Sequence, residues 1–296
     1  MTHFGTRIWT MACALAICGA AAGQTPKTFP TAQAASDALI AAAQTGDPAQ
    51  VTAIFGSKSR NVLLSGDTDR DKREMMEFGK LAQDKHHLEA DAMNHERMML
   101  FVGTEDWPFP VPIVRTNGSW KFDAEDGAVT MRARRIGGNE LDAIEICTGY
   151  VEAQRKYAAQ DHDKNGMHEY AKRIMSSPGK EDGLFWTGAG APLVPRGFAE
   201  ASVATNPKPY HGYYFRVLTS QGPDAATGAH NYLMKDSMIG GFGLVAWPAE
   251  YGVTGVYTFI VNQAGVVYER DSGKPASNMT PPVTVFDPDK SWNPSE

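Results

Sequence analysis

NELDAIEICTGYVEAQRKYAAQ, residues 139–160, is the stretch on which the fold turns. Leu141, Ile144, Cys147, Val151 and Ala158 fall at helical spacing and trace one apolar stripe. Asn139 is a residue type that caps a helix start, and Asp142 suits the positive end of the helix dipole. The pair Gly137-Gly138 just before it reads as a break. An amphipathic helix of this kind needs a surface to cover, and strands dominate the chain on its C-terminal side. The chain therefore divides here into a first α+β unit, 24–136, and a second, 137–296.

Downstream, DHDKNG (161–166) interrupts the helix and a shorter helix is predicted near 167–175. Beyond it glycine and proline become frequent, and strands are expected at 213–219, 243–247, 255–261 and 266–270. The last two are joined by Asn262-Gln263-Ala264-Gly265, a hairpin loop with glycine where a positive φ is required. The polar, proline-rich tail from Ser272 is expected to lie along the surface. No internal repeat is present.

Upstream, Thr31 caps a helix with Ala35, Leu39, Ala42 and Ala43 on one face, and Gly46-Asp47 stops it. Pro48 begins a second helix carrying Val51, Ile54 and Phe55. VLLSG (62–66) reads as a strand, 67–82 as a charged helix and RMMLFVG (97–103) as a strand. Pro108, Pro110 and Pro112 alternate with Phe109, Val111 and Ile113. Prolines cannot donate to a ladder, so this segment is an edge strand or an extended lead-in. Thr116-Asn117-Gly118 then turns a hairpin into Ser119–Phe122. Helices followed by a hairpin-rich sheet resemble the nuclear transport factor 2-like cone over residues 30–135.

Residues 1–23 have the layout of a signal peptide: Arg7, an apolar run over 8–18, and Ala21-Ala22-Gly23 before Gln24. Ile17 is bulky and β-branched, which argues against lipid attachment at Cys18. Cleavage after Gly23 leaves Cys147 as the single thiol, so no internal disulfide is expected. The expected location is periplasmic or secreted. The net charge of −6 argues against nucleic acid and anionic lipid as partners. No apolar run after the leader is long enough to span a bilayer.

Five strings occur together: DWPFPVPIV (106–114), RRIGGNEL (134–141), YVEAQRKYAAQDHDKNGMHEYA (150–171), SSPGKEDGLFW (176–186) and GGFGLVAWPAEYGVTGVYTFIVNQAGVVYERD (240–271). As a set they resemble a bacterial exported family known as domain of unknown function 2950, over nearly the whole mature chain. The resemblance implies export and brings no catalytic residues. The second half also resembles the globular heads of type II secretion pseudopilins, with a long helix, Tyr157, an acidic turn, Glu169-Tyr170-Ala171 and an antiparallel sheet. Its helix is preceded by a folded unit and carries charges such as Glu145, so that resemblance implies a soluble module rather than a fibre.

Several residue groups suggest chemistry. Asp161, Asp163, Asn165 and Glu169 alternate as oxygen ligands with Gly166 at the sixth position, the pattern of a calcium loop. The twelfth position, where a bidentate acid belongs, is Lys172. The same stretch also reads as a polar turn whose Asp and Asn side chains bind backbone, and both readings stand. Zinc at His162 and His168 is disfavoured, because their spacing of six is not that of two ligands on one helix face. His86, His87 and His95 read as solvated.

No G-x-S-x-G is present. Cys147 falls inside a buried stripe, where a thiol is inert. Asp182, Glu250 and Asp271 are available as paired carboxylates only if folding unites them. Gly240-Gly241-x-Gly243 leads into a strand and lacks the helix start of a phosphate loop. Arg132, Arg134 and Arg135 form a basic cluster. Tyr210, His211, Tyr213, Tyr214, Trp186 and Trp247 would line either a groove or the core.

The sequence thus predicts an exported α+β envelope protein acting as a non-catalytic ligand- or partner-binding module, with calcium as the one candidate cofactor. The alternative is an envelope hydrolase with a carboxylate site assembled in three dimensions. A third reading, assembly with secretion machinery, predicts no pocket.

Overall fold

A computed structural model of the chain describes residues 25–162, 166–188, 190–274, 277 and 280–295. The leader lies outside the described residues. The chain is mixed α+β with antiparallel sheets. Thr31 accepts a hydrogen bond from Ala34 N and starts α1 (Ala32–Gln44), and Asp47 caps α2 (Pro48–Phe55). A single 3-10 turn then leads into α3 (Arg60–Leu63), and Asp67 caps α4 (Thr68–Asp84). β1 (His86–Ala90), β2 (Arg97–Val102), β3 (Trp107–Pro108), β4 (Ile113–Thr116) and β5 (Ser119–Phe122) form one sheet in the order β1-β2-β4-β5, with β3 against β2. Asn117 and Gly118, with φ of 50° and 80°, make the tight β4–β5 turn. Phe55, Phe78, Phe109 and Phe122 cluster at the centre of this core, Phe55 and Phe122 at 4.7 Å between centroids.

The helix that decides the fold is longer than the sequence predicts. α5 runs without interruption from Ala124 to Tyr157, 34 residues and about 51 Å. Asp123 caps it and Glu125 and Asp126 occupy its first turn. Asn139 is therefore not a cap. It sits mid-helix and buried, accepting from Arg70 Nη1 at 2.7 Å and donating to Thr254 O at 2.8 Å. Glycine weakens a helix by about 1 kcal/mol against alanine, and tertiary contacts on either side of Gly137-Gly138 override that deficit. The division expected at this pair thus falls inside one continuous helix.

Two other expectations fail for similar reasons. Residues 62–66 are not a strand: Val62 and Leu63 end α3, where Arg135 donates to Asn61 O and Val62 O at 3.0 and 2.6 Å. Residues 167–175 are not helical. The buried Gln154 amide grips this segment as a strand would, donating to Ala171 O and accepting from Ala171 N, both at 2.8 Å.

After the short α6 (Arg196–Ala201) comes the second large sheet. It contains β6 (Tyr213–Leu218), β11 (Gly243–Pro248), β12 (Tyr257–Asn262), β13 (Tyr268–Asp271) and β14 (Asn293–Pro294), in the antiparallel order β14-β13-β12-β11-β6. Between β6 and β11 lie the two-residue pairs β7 (Ser220–Gln221) with β8 (His230–Asn231), and β9 (Leu233–Met234) with β10 (Ser237–Met238). One face packs against α5 through Cys147, Tyr150 and Val151, together with Phe215, Leu244 and Phe259. The other face is closed by the tail: Phe286 and Trp292 cover Trp247, Val245 and Ile260. The tail is thus a structural cover rather than a surface trailer, and β11 is buried at every position.

Candidate functional site

The middle of α5 is where three parts of the chain meet. Arg70 of α4 reaches across to it, with Nη1 2.7 Å from Asn139 Oδ1 and 3.1 Å from Asp142 Oδ2, while its Nε binds Glu74 at 2.6 Å. Asp142 Oδ2 also lies 2.6 Å from Nδ1 of His211. Glu140 accepts from Val256 N and Tyr257 N at 2.8 and 3.1 Å, tying the helix to the start of β12.

His211 is delivered by a two-residue hairpin turn. Tyr210 and Tyr213 exchange both backbone hydrogen bonds, at 2.9 and 3.0 Å. The two central residues, His211 and Gly212, have φ of 49° and 76°. That is the double left-handed turn in which glycine is needed at the second place, and here a Cβ on Gly212 would also run into the Asn139 amide. His211-Gly212 is a rarer form of the Asn-Gly signal, since histidine also tolerates positive φ better than most residues. That turn is the one local clue to this site in the sequence.

An ionised carboxylate only accepts, so Nδ1 of His211 carries the proton that faces Asp142. Burial alone would push Asp142 up. The hydrogen bond and charge of His211, with the charge of Arg70, outweigh it and hold this carboxyl below its usual value. The result is an aspartate–histidine dyad backed by an arginine.

The dyad borders a groove of about 290 Å³. Its wall is apolar, from Ile146, Leu193, Pro195 and Phe198, and its polar rim is Asp142, Glu145, Tyr210 and His211. Burial, then the nearby carboxylates Asp67, Asp142 and Glu145, raise the Tyr210 phenol, which stays protonated and able to donate. Gly149 completes the lining. It lies inside α5, and a Cβ there would meet nothing within 4 Å.

The calcium-type residues divide. Asp161 accepts from Gly166 N at 2.8 Å. Glu169 is buried and lines a separate pocket of about 220 Å³ with Lys172 and Lys180. Asp163 and Asn165 lie outside the described residues. Among the described residues no group of three or more His, Cys, Asp or Glu side chains could hold a metal ion. His162 stacks on Tyr157 at 3.9 Å, and His168 Nδ1 binds Ala158 O at 2.9 Å. His86 and His87 are half-buried in β1 rather than solvated, the first bonded to Ala82 O and the second stacked on Phe101.

The three candidate carboxylates serve different places. Asp182 binds Ser177 N and Oγ at 2.7 and 2.8 Å, Asp271 accepts from Tyr251 Oη, and Glu250 borders a cleft beside α3. Cys147 is fully buried, and burial raises its thiol to about 12. Of the aromatics, Tyr213 and Trp247 belong to the core, Tyr214 packs on Trp247, and Tyr210 with His211 face the groove.

A family model described as "Protein of unknown function (DUF2950)" matches residues 26–294. The chain belongs to that family. No curated protein and no solved structure matches this DUF2950 chain. Among its described residues no helix is long and apolar enough to cross a membrane.

Proposed function

We propose that the protein is exported to the envelope and works there by binding, without catalysis, with the groove beside Gly149 as its ligand site. It is read as two units, 24–136 and 137–296, sharing α5. Export rests on the leader-like composition of residues 1–23. The observation that carries the site is Gly149. Glycine inside a helix costs about 1 kcal/mol against alanine, and no neighbour excludes a Cβ there. Gly149 is exposed, and what the glycine provides is open space along the lining of an apolar groove with a polar rim, the common form of a small-ligand site.

The test uses the neutral dye N-phenyl-1-naphthylamine as an apolar probe. Wild type and Gly149→Ala should bind it, the alanine variant melting higher, and Gly149→Leu should not. Dye binding by Gly149→Leu equal to wild type would remove the groove as the site. Fractionation should place the protein in the periplasm or medium with Gln24 at its N-terminus. Calcium remains part of the reading at Asp161, Asp163, Asn165 and Glu169. Calorimetry at millimolar calcium should give heat, and no heat with an unchanged melting temperature would withdraw it.

The dyad favours one alternative, an envelope hydrolase. A histidine oriented by a carboxylate can take a proton from water at its other nitrogen. A hydrolytic activity that His211→Asn abolishes, with the fold intact, would replace the binding reading.

A further inference from the structure

The chain as a whole is acidic, at −6, yet one cleft brings three arginines together against two acids. It has a volume of about 460 Å³ and lies between α3, the first half of α5 and the 250–254 turn. Arg132 and Arg135 stand three apart on one face of α5, and Arg60 opens α3 across from them. Two of the five donors of Arg135 hold Asn61 O and Val62 O, which fixes its guanidinium plane.

Among the described residues, no carboxylate oxygen lies within 4.0 Å of a nitrogen of Arg60, Arg132 or Arg135. The two acids that border the cleft, against three arginines, leave it one net positive charge. Asp71 is buried and binds Ser65 N and Oγ at 2.8 and 2.7 Å, and Glu250 is exposed. Burial lowers Arg135 from its ordinary value, opposed by Asp71 and Glu74 and reinforced by repulsion from Arg70 and Arg132. Like charges held together without a partner destabilise the fold, and an anion would relieve that repulsion.

We infer that this cleft is a second binding site, distinct from the Gly149 groove, for a small molecule bearing an oxyanion, either carboxylate or phosphate. Guanidinium groups match both, because their planar donors pair with two oxygens at once. A held guanidinium with two adaptable ones beside it is suited to a ligand with more than one anionic oxygen.

The test is calorimetric titration of the full chain with succinate and, separately, with pyrophosphate, at low and at 0.15 M salt, using wild type, Arg132→Gln and Arg60→Gln/Arg132→Gln. Arg60 and Arg132 are exposed, and circular dichroism melts verify that the variants fold. Wild type should bind at least one anion, more weakly at the higher salt. Succinate alone would identify a carboxylate site, and pyrophosphate alone a phosphate site. Arg132→Gln should weaken binding about 10-fold, and the double variant should abolish it. Gly149→Leu should leave it unchanged, which separates this site from the groove. The inference is overturned by no heat from either anion with wild type at millimolar concentration, or by equal affinity in the double variant.

Discussion

The two halves of α5 belong to one helix and are held by different forces. From Ala143 onward the helix is a core element, with Ala143, Cys147, Tyr150, Val151, Ala153, Gln154 and Tyr157 all buried. Before Asn139 only Gly127 is buried, and Val129 is 78% exposed. That first half rests on the first core only through Ala124, Gly127 and Met131, and polar reach adds to this, through Arg135 on the end of α3 and Arg70 on Asn139 and Asp142. Apolar burial dominates the second half, whereas long-range hydrogen bonds supplement a thinner apolar contact in the first, and a cleft opens along each half. Where packing is complete there is no room for a ligand. The arginine cleft lies along the first half, at residues 128–135, and the Gly149 groove along the less buried side of the second, at residues 142–150.

The comparison predicts a steep gradient of mutational cost along the helix. Tyr150→Ala removes a fully buried ring that also donates to Gly243 O. It should cost about 3–5 kcal/mol, read from urea unfolding, whereas Val129→Ala should stay within about 0.5 kcal/mol of wild type. Equal costs at the two positions would break the contrast.

Arg70→Met should cost about 1–3 kcal/mol, because it leaves Asn139 Oδ1 and Asp142 short of a donor. A change below about 0.5 kcal/mol by the same measurement would mean that polar reach does not anchor this half.

The dyad adds a pH test. Asp142 titrates below its usual value in the folded chain, so its stabilisation is complete above the unfolded value of about 4 and is lost as pH falls through the lower folded value. The stability gap between wild type and Asp142→Asn should therefore narrow as pH falls from about 5 toward 3. A gap independent of pH in urea melts across that range would remove the carboxylate's role.

A gain rather than a loss is expected at Gly137, where an added Cβ meets nothing within 4 Å. Gly137→Ala should stabilise by up to about 1 kcal/mol, seen as a higher melting temperature. A loss instead would mean that the helix does not run straight through that point.

Much of the fold is legible in the sequence because local signals and packing agree. The cap Thr31, the stop at Gly46-Asp47, the Asn117-Gly118 turn, the charged helix α4 and the strands β6, β11, β12 and β13 all reflect spacing and turn chemistry. Residues 62–66 and 167–175 mislead because side chains from distant parts of the chain, Arg135 and Gln154, satisfy their backbone groups. The candidate site is less legible still. Arg70, Asp142 and His211 are separated by 72 and 69 positions and share no motif, and only the His211-Gly212 turn leaves a local trace.

By itself the sequence determined the α+β class, the family and, at Cys147 and Val151, the buried side of the second half of α5, since periodicity and turn residues act over a few positions; Leu141, expected on the same stripe, is 67% exposed. Only the tertiary structure decided that α5 continues through two glycines, that the tail closes the back of the second sheet, and that Arg60, Arg132 and Arg135 of an acidic chain meet at one cleft. Those outcomes depend on contacts between residues far apart in sequence, whose energies outweigh local preferences of about 1 kcal/mol.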